Sequence, residues 1–187
     1  MLDAVSGERL EALYVVAGLR RGELQGLRWE DVDLETGMLQ VRRTLSEPKG
    51  GYVFEAPKSG KGRNIWLAQR AVAVLKEHRK CQLEQKSQCP QWQDQGLVFP
   101  STVGTPLLGG NLNHAFKATL RRAGLPEIRF HDLRHTCATL LLRQGVNPQF
   151  AQELLGHADI SLTLNTYSHV LPDMGDAAAT AMDAALG

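Results

Sequence analysis

The apolar positions change period several times along the chain, and each change marks an element. Leu10, Leu13, Tyr14 and Ala17 follow three-four spacing behind Ser6, a residue able to cap a helix. Gly18 interrupts, and a second short helical stretch opens at Arg20-Arg21-Gly22-Glu23-Leu24, with Leu27 continuing its apolar side. From Met38 the period becomes two. Leu39, Val41 and Leu45 alternate with polar residues and predict a strand. Tyr52-Val53-Phe54 and Ile65-Trp66-Leu67 supply two more, so this region predicts a small three-stranded antiparallel meander. Pro57-Lys58-Ser59-Gly60-Lys61-Gly62 has the composition of a turn between the last two.

Helical spacing then dominates. A helix is predicted over 68–86, with Val72, Leu75 and Leu83 on its inner side, followed by a polar surface loop over 87–95. Asn111 or Asn113 can start the next helix, with Phe116 and Leu120 facing in and Gly124 ending it. Residues 131–144 read as a helix with Leu133, Cys137, Leu140 and Leu141 as its buried stripe, stopped by Gly145. Pro148 suits the first turn of another, ending near Gly156. The Ala-rich stretch 173–186 has high helix propensity. One stretch conflicts with the helical trend: Ile160, Leu162 and Leu164 alternate with polar residues, and by pattern alone 160–167 is a strand. The sum is a mainly helical α+β domain with a small three-stranded antiparallel sheet.

Composition narrows the class. A chain of 187 residues fits one domain and buries roughly 70% of its unfolded surface, so a core needs no staples. Hydrophobic content of 43% against 22% charged residues excludes wholesale disorder. No apolar run reaches the roughly 20 residues of a membrane span, and the amino terminus lacks an apolar signal segment. Cys81, Cys89 and Cys137 are too few and too irregular for a disulfide framework, which points to a reduced, cytoplasmic setting. Net charge is +1, but its distribution is uneven: −4 over residues 1–40, +7 over 41–80 and −2 over 81–187. The basic block coincides with the predicted meander. It fits either a polyanion-facing surface, with Arg42, Arg43, Lys61 and Arg63 as the candidate nucleic-acid contacts, or a solvated basic face.

Three constellations could carry chemistry. His131-Asp132-Leu133-Arg134-His135 begins a helix, so His131, Arg134 and His135 lie on neighbouring positions of one face. Two imidazoles at i and i+4 have a zinc-binding spacing, which keeps a zinc hydrolase as one alternative. Asp132 stands where that motif wants Glu, however, and Arg134 beside a dication is electrostatically unfavourable. In Gly18-Leu19-Arg20-Arg21-Gly22-Glu23-Leu24, Glu23 is three residues on from Arg20, close enough to orient a phosphate-binding fork or to form an ordinary ion pair. Third come Leu154-Leu155-Gly156-His157 and then Tyr167. In one continuous helix His157 and Tyr167 would be about 15 Å apart, so a turn at Ala158-Asp159 is needed for a shared site.

In order, GLRRGEL, PKSGKGR, HDLRHT and LLGHADISLTLNTYSH closely resemble the catalytic domain of the tyrosine recombinases, the phage integrase family. The resemblance runs from the first helix to about residue 170. It implies the DNA breaking-rejoining fold over residues 1–187, with 173–187 as a carboxy-terminal tail helix and the family's amino-terminal DNA-binding domains absent. It implies that the 160–167 stretch is helical. It also places the family's catalytic arginines on Arg20 and Arg134, the hairpin lysine on Lys58 with Lys61 competing, the histidines on His131 and His157, and the nucleophile on Tyr167. Glu23 and His135 would support them.

The implied chemistry is metal-free and needs no cofactor. Tyr167 would attack a DNA phosphodiester to give a 3′-phosphotyrosine, with the arginines and His157 stabilising the charged transition state. His131 would take the phenolic proton and Lys58 would protonate the departing 5′-oxygen. The implied partners are double-stranded DNA and other recombinase protomers, reached through the tail, with no membrane. DNA binding by such a domain alone would be weak and steeply salt-dependent. Two further alternatives are a catalytically silent DNA-binding remnant and a type IB topoisomerase-like enzyme.

Overall fold

The computed structural model describes residues 18–57, 60, 62–156 and 182–184. The predicted first helix, most of the Ala-rich tail and the 160–167 stretch lie outside the described residues, as do Lys58, Lys61, His157 and Tyr167. The chain divides into two compact units, residues 1–134 and 135–187.

In the first unit, helix α1 (Arg21–Gln25) is followed by a 3-10 turn (Trp29–Asp31) and strands β1 (Val32–Asp33), β2 (Met38–Val41), β3 (Thr44–Ser46), β4 (Val53–Glu55) and β5 (Arg63–Trp66). Helices α2 (Gln69–Gln88) and α3 (Gly109–Arg122) complete it, and α4 (Phe130–Arg143) begins in it. The predicted single meander is in fact two sheets. β1, β2 and β5 form one, with Leu39 opposite Ile65 and Val41 opposite Arg63, while among the described residues β3 pairs with β4 alone. The predicted first strand breaks at Arg42-Arg43, whose guanidiniums reach the carboxylate of Asp31 at 3.7 and 3.0 Å instead of extending one ladder.

The core gathers Leu24, Leu39, Leu75, Val98, Phe99, Leu112, Phe116 and Leu120, all essentially inaccessible. Long α2 is tied to the segment after it through polar contacts as well as apolar ones. His78 Nε2 lies 2.7 Å from the Val98 carbonyl, its ring stacks on Phe99 at 5.1 Å, and Gln82 donates to the Leu97 carbonyl. Leu83, expected on the inner side, is exposed, because polar His78 and Gln82 take the buried positions of that helix. α3 starts at Gly109, ahead of the predicted asparagines, because Glu47 accepts from the Gly109 N–H at 2.8 Å and so caps it from a distance of 62 residues.

α1 is short, and its closeness to β3 depends on Gly22. A Cβ there would collide with Thr44 Oγ1 and stand 2.7 Å from the Leu45 carbonyl oxygen. Gly22→Ala is expected to cost about 2 kcal/mol by overpacking, read as a lower urea midpoint with an unchanged slope.

In the second unit, the remainder of α4 and helix α5 (Pro148–Leu155) bury Ala138, Leu142, Ala151 and Leu155 together. Asn147 caps α5 by accepting from the Gln149 N–H, and Gly156 ends it in the left-handed conformation at φ 67°. The buried stripe of α4 is displaced from the predicted one. Leu133, Arg134, Ala138 and Leu142 face inward, whereas Leu140 is exposed and Cys137 and Leu141 are half-buried. The four-residue rhythm runs through Arg134, a position that a hydrophobicity pattern discards.

Candidate active site

The site begins with the turn that precedes α1. Leu19 is buried, and Arg20 stands just ahead of the helix in extended conformation, so its own backbone N–H needs an acceptor. Glu23 Oε2 provides it at 2.9 Å, while Oε1 accepts from Arg20 Nη1 at 2.9 Å. The i, i+3 contact that the spacing suggested is therefore present. The same carboxylate takes two more hydrogen bonds, from Arg63 Nη1 at 2.9 Å and Nη2 at 2.8 Å, a fork-to-fork pair across 40 residues of chain.

Glu23 is only 3% exposed. Burial pushes its carboxyl upward, but the hydrogen bonds and positive charge of Arg63, with the hydrogen bonds from Arg20, outweigh that and hold it below the usual glutamate range. Glu23 is therefore a fixed anion on which two cations are mounted. The Arg20 side chain keeps 31% of its surface in solvent, whereas that of Arg63 keeps 12%.

Arg134 reaches the same turn from the far end of the unit. It is 3% exposed, and its Nη1 donates to the carbonyl of Gly18, two residues before Arg20 and 116 before Arg134. The two sequence-predicted arginines thus share one structural feature, the Gly18–Arg20 turn. His131 lies one turn earlier on α4 and is exposed, and His135 follows half-buried. Asp132, the residue compared with a metalloprotease glutamate, is engaged locally: it accepts from the Arg129 N–H at 2.8 Å and pairs with the Arg129 guanidinium at 2.9 Å. Among the described residues no group of three potential metal ligands converges.

The predicted DNA contacts differ in where they stand. Arg43 is held by Glu30 at 2.9 Å and by Asp31 at 3.0 Å, and it is largely covered. Arg42 is more than half exposed, with its nearest carboxylate oxygen, on Asp31, at 3.7 Å. Arg63 faces Glu23. Sequence reasoning missed Asp31, whose buried carboxylate accepts from the Arg28 N–H and collects Arg42 and Arg43. A signal was present: Arg28-x-x-Asp31 repeats, eight residues on, the Arg20-x-x-Glu23 spacing, and both acids serve the same dual purpose.

The phage integrase family model matches residues 7–174. This chain belongs to that family. Among curated relatives, a tyrosine recombinase XerC-like protein of Caldanaerobacter subterraneus subsp. tengcongensis is 38% identical, over 91% of this chain and 48% of its own length. The prophage integrase IntR of Escherichia coli K12 is 33% identical, over 90% of this chain and 44% of its own. This family member therefore spans about half the length of the curated relatives it matches. Among solved structures, the Tn1549 transposon integrase in complex with circular intermediate DNA superposes with a TM-score of 0.77 at 25% identity, covering 97% of this chain and 63% of that one. The mainly helical fold with small antiparallel sheets is thus the phage integrase catalytic-domain fold.

Proposed function

We propose that this chain is the catalytic domain of a tyrosine-type site-specific recombinase that cleaves and rejoins double-stranded DNA through a 3′-phosphotyrosine. The observation that carries the reading is the convergence of Arg134 and Arg20 on one turn, with Arg20 held by a buried, ionised Glu23. Two guanidiniums held at one turn suit the extra negative charge that develops on a phosphorus under attack. The solved Tn1549 integrase complex, with its transposon DNA, supports the choice of DNA as substrate.

In this mechanism the phenolic oxygen of Tyr167 bonds to the scissile phosphorus and its proton passes to His131. Arg20, Arg134 and His157 hold the non-bridging oxygens. The bond from phosphorus to the 5′-oxygen breaks, and Lys58 or Lys61 supplies the proton that this oxygen takes up. The ester keeps the free energy of the phosphodiester, so a second DNA hydroxyl reverses the reaction without a nucleotide. When that hydroxyl belongs to a partner duplex the outcome is recombination, as suits a mobile element in bacterial or phage DNA. Residues 173–187 would dock on a neighbouring protomer in the assembled complex.

A nicked suicide duplex tests the reading. Incubated with excess chelator, the protein should form an SDS-resistant adduct, and the DNA-linked tryptic peptide should contain Tyr167. Binding without an adduct would leave a DNA-binding remnant, and cleavage that zinc restores after chelation would establish a metal hydrolase instead.

A further inference from the structure

We propose that Arg63 is a positioning residue for the proton-donating loop rather than a DNA contact; the inference rests on the recombinase reading above. Arg63 is the first residue of β5 and pairs with Val41 of β2, so its side chain shares the face of that sheet with buried Val41, Leu39 and Ile65. It points at Glu23, not at solvent, and both terminal nitrogens are engaged with that carboxylate. Because Glu23 also holds the backbone and the guanidinium of Arg20, one carboxylate joins the start of α1 to the start of β5.

The segment that leads into β5 is the one that carries both lysines. It follows β4 of the two-stranded sheet past Pro57, which is buried, and enters the three-stranded sheet at Gly62, where an added Cβ would stand 2.9 Å from the Val41 carbonyl oxygen. Lys58 directly follows the first anchor. Lys61 is two residues before Arg63, within about 7 Å of it along even a fully extended backbone. Fixing Arg63 on Glu23 therefore fixes where this loop enters the three-stranded sheet relative to Arg20. A lysine at position 63 would bind as a point charge and leave that registry loose, whereas the planar fork sets both distance and angle.

The test separates positioning from DNA contact and from mere stability. Arg63→Met keeps the apolar stem and removes the fork. Covalent adduct formation on an ordinary nicked duplex should fall about 100-fold, the scale of a misplaced catalytic group. On a duplex with a 5′-bridging phosphorothiolate, whose sulfur departs without a proton, the defect should shrink to within about threefold of wild type, because general-acid help is then dispensable. The salt dependence of DNA binding should not change. Arg63→Lys, which retains the charge and one hydrogen bond, should show the same substrate-selective defect to a smaller degree and guards against a methionine variant that does not fold. Equal defects on both duplexes in Arg63→Lys would overturn the proposal, as would a salt slope lowered by about one, the mark of a lost phosphate contact. If wild type itself forms no adduct on either duplex, the recombinase reading fails first and takes this inference with it.

Discussion

Tyr167→Phe is expected to give no SDS-resistant adduct with a nicked duplex, however long the incubation, while binding the same DNA as wild type does. The substitution removes one oxygen. That oxygen is the only atom of the side chain able to form an ester with phosphorus, and the ring itself is left unchanged. Arg134→Ala makes the informative contrast. It removes one fixed cation, and losing one preorganised donor typically costs about 10²- to 10³-fold in rate. Adduct should then form slowly and still carry DNA on Tyr167. A trace of adduct in Tyr167→Phe that maps to another residue would move the nucleophile; complete loss in Arg134→Ala would mean that Arg134 also holds the site together through its bond to Gly18.

Glu23→Ala should lower stability by about 3 kcal/mol at neutral pH, because it strands two guanidiniums at a buried position. That figure is at the low end for a broken buried pair, since Arg20 keeps nearly a third of its side chain in water. The effect has a defined pH dependence. The folded carboxyl sits below the ordinary value of 4.5, because Arg63 and Arg20 outweigh its burial. The ion-pair contribution is therefore complete above pH 4.5 and is lost as pH falls through the lower folded value. Urea midpoints of wild type and Glu23→Ala should be well separated at pH 7 and converge in acid. A gap that stays constant down to pH 3 would show that Glu23 contributes packing rather than charge.

Much of the architecture could be read from periodicity, and the places where reading failed have physical causes. α2, α3, α4 and α5 appear where the three-four spacing puts them, mostly with ends within about two residues of the expected ones; α3 starts earlier because its cap, Glu47, comes from elsewhere in the chain. The buried face of α4 was misassigned because a charged residue, Arg134, occupies it, and no hydrophobicity count seeks a core among arginines. The meander became two sheets because Arg42 and Arg43 are drawn to Asp31, a tertiary attraction that leaves no trace in alternation. The candidate site's motifs were legible, and two of the residues they name, Arg20 and Arg134, meet at the Gly18–Arg20 turn. The role of Arg63 was not legible, since a basic residue beside a lysine-rich turn looks like every other base in that stretch.

The partition of charge along the chain has a different meaning once folded. Acids from the negative first forty residues are mated to bases of the positive block that follows: Glu23 to Arg63, Glu30 and Asp31 to Arg43, and Glu35 to Lys76. The protein thereby carries internal counterions for part of its own basic stretch. These side chains are already paired, so fewer phosphates of a polyanion could be neutralised, and fewer of its own condensed counterions released, than a tally of lysines and arginines suggests. What this arrangement offers a nucleic acid is a rigid frame around a few committed cations rather than a diffuse positive field.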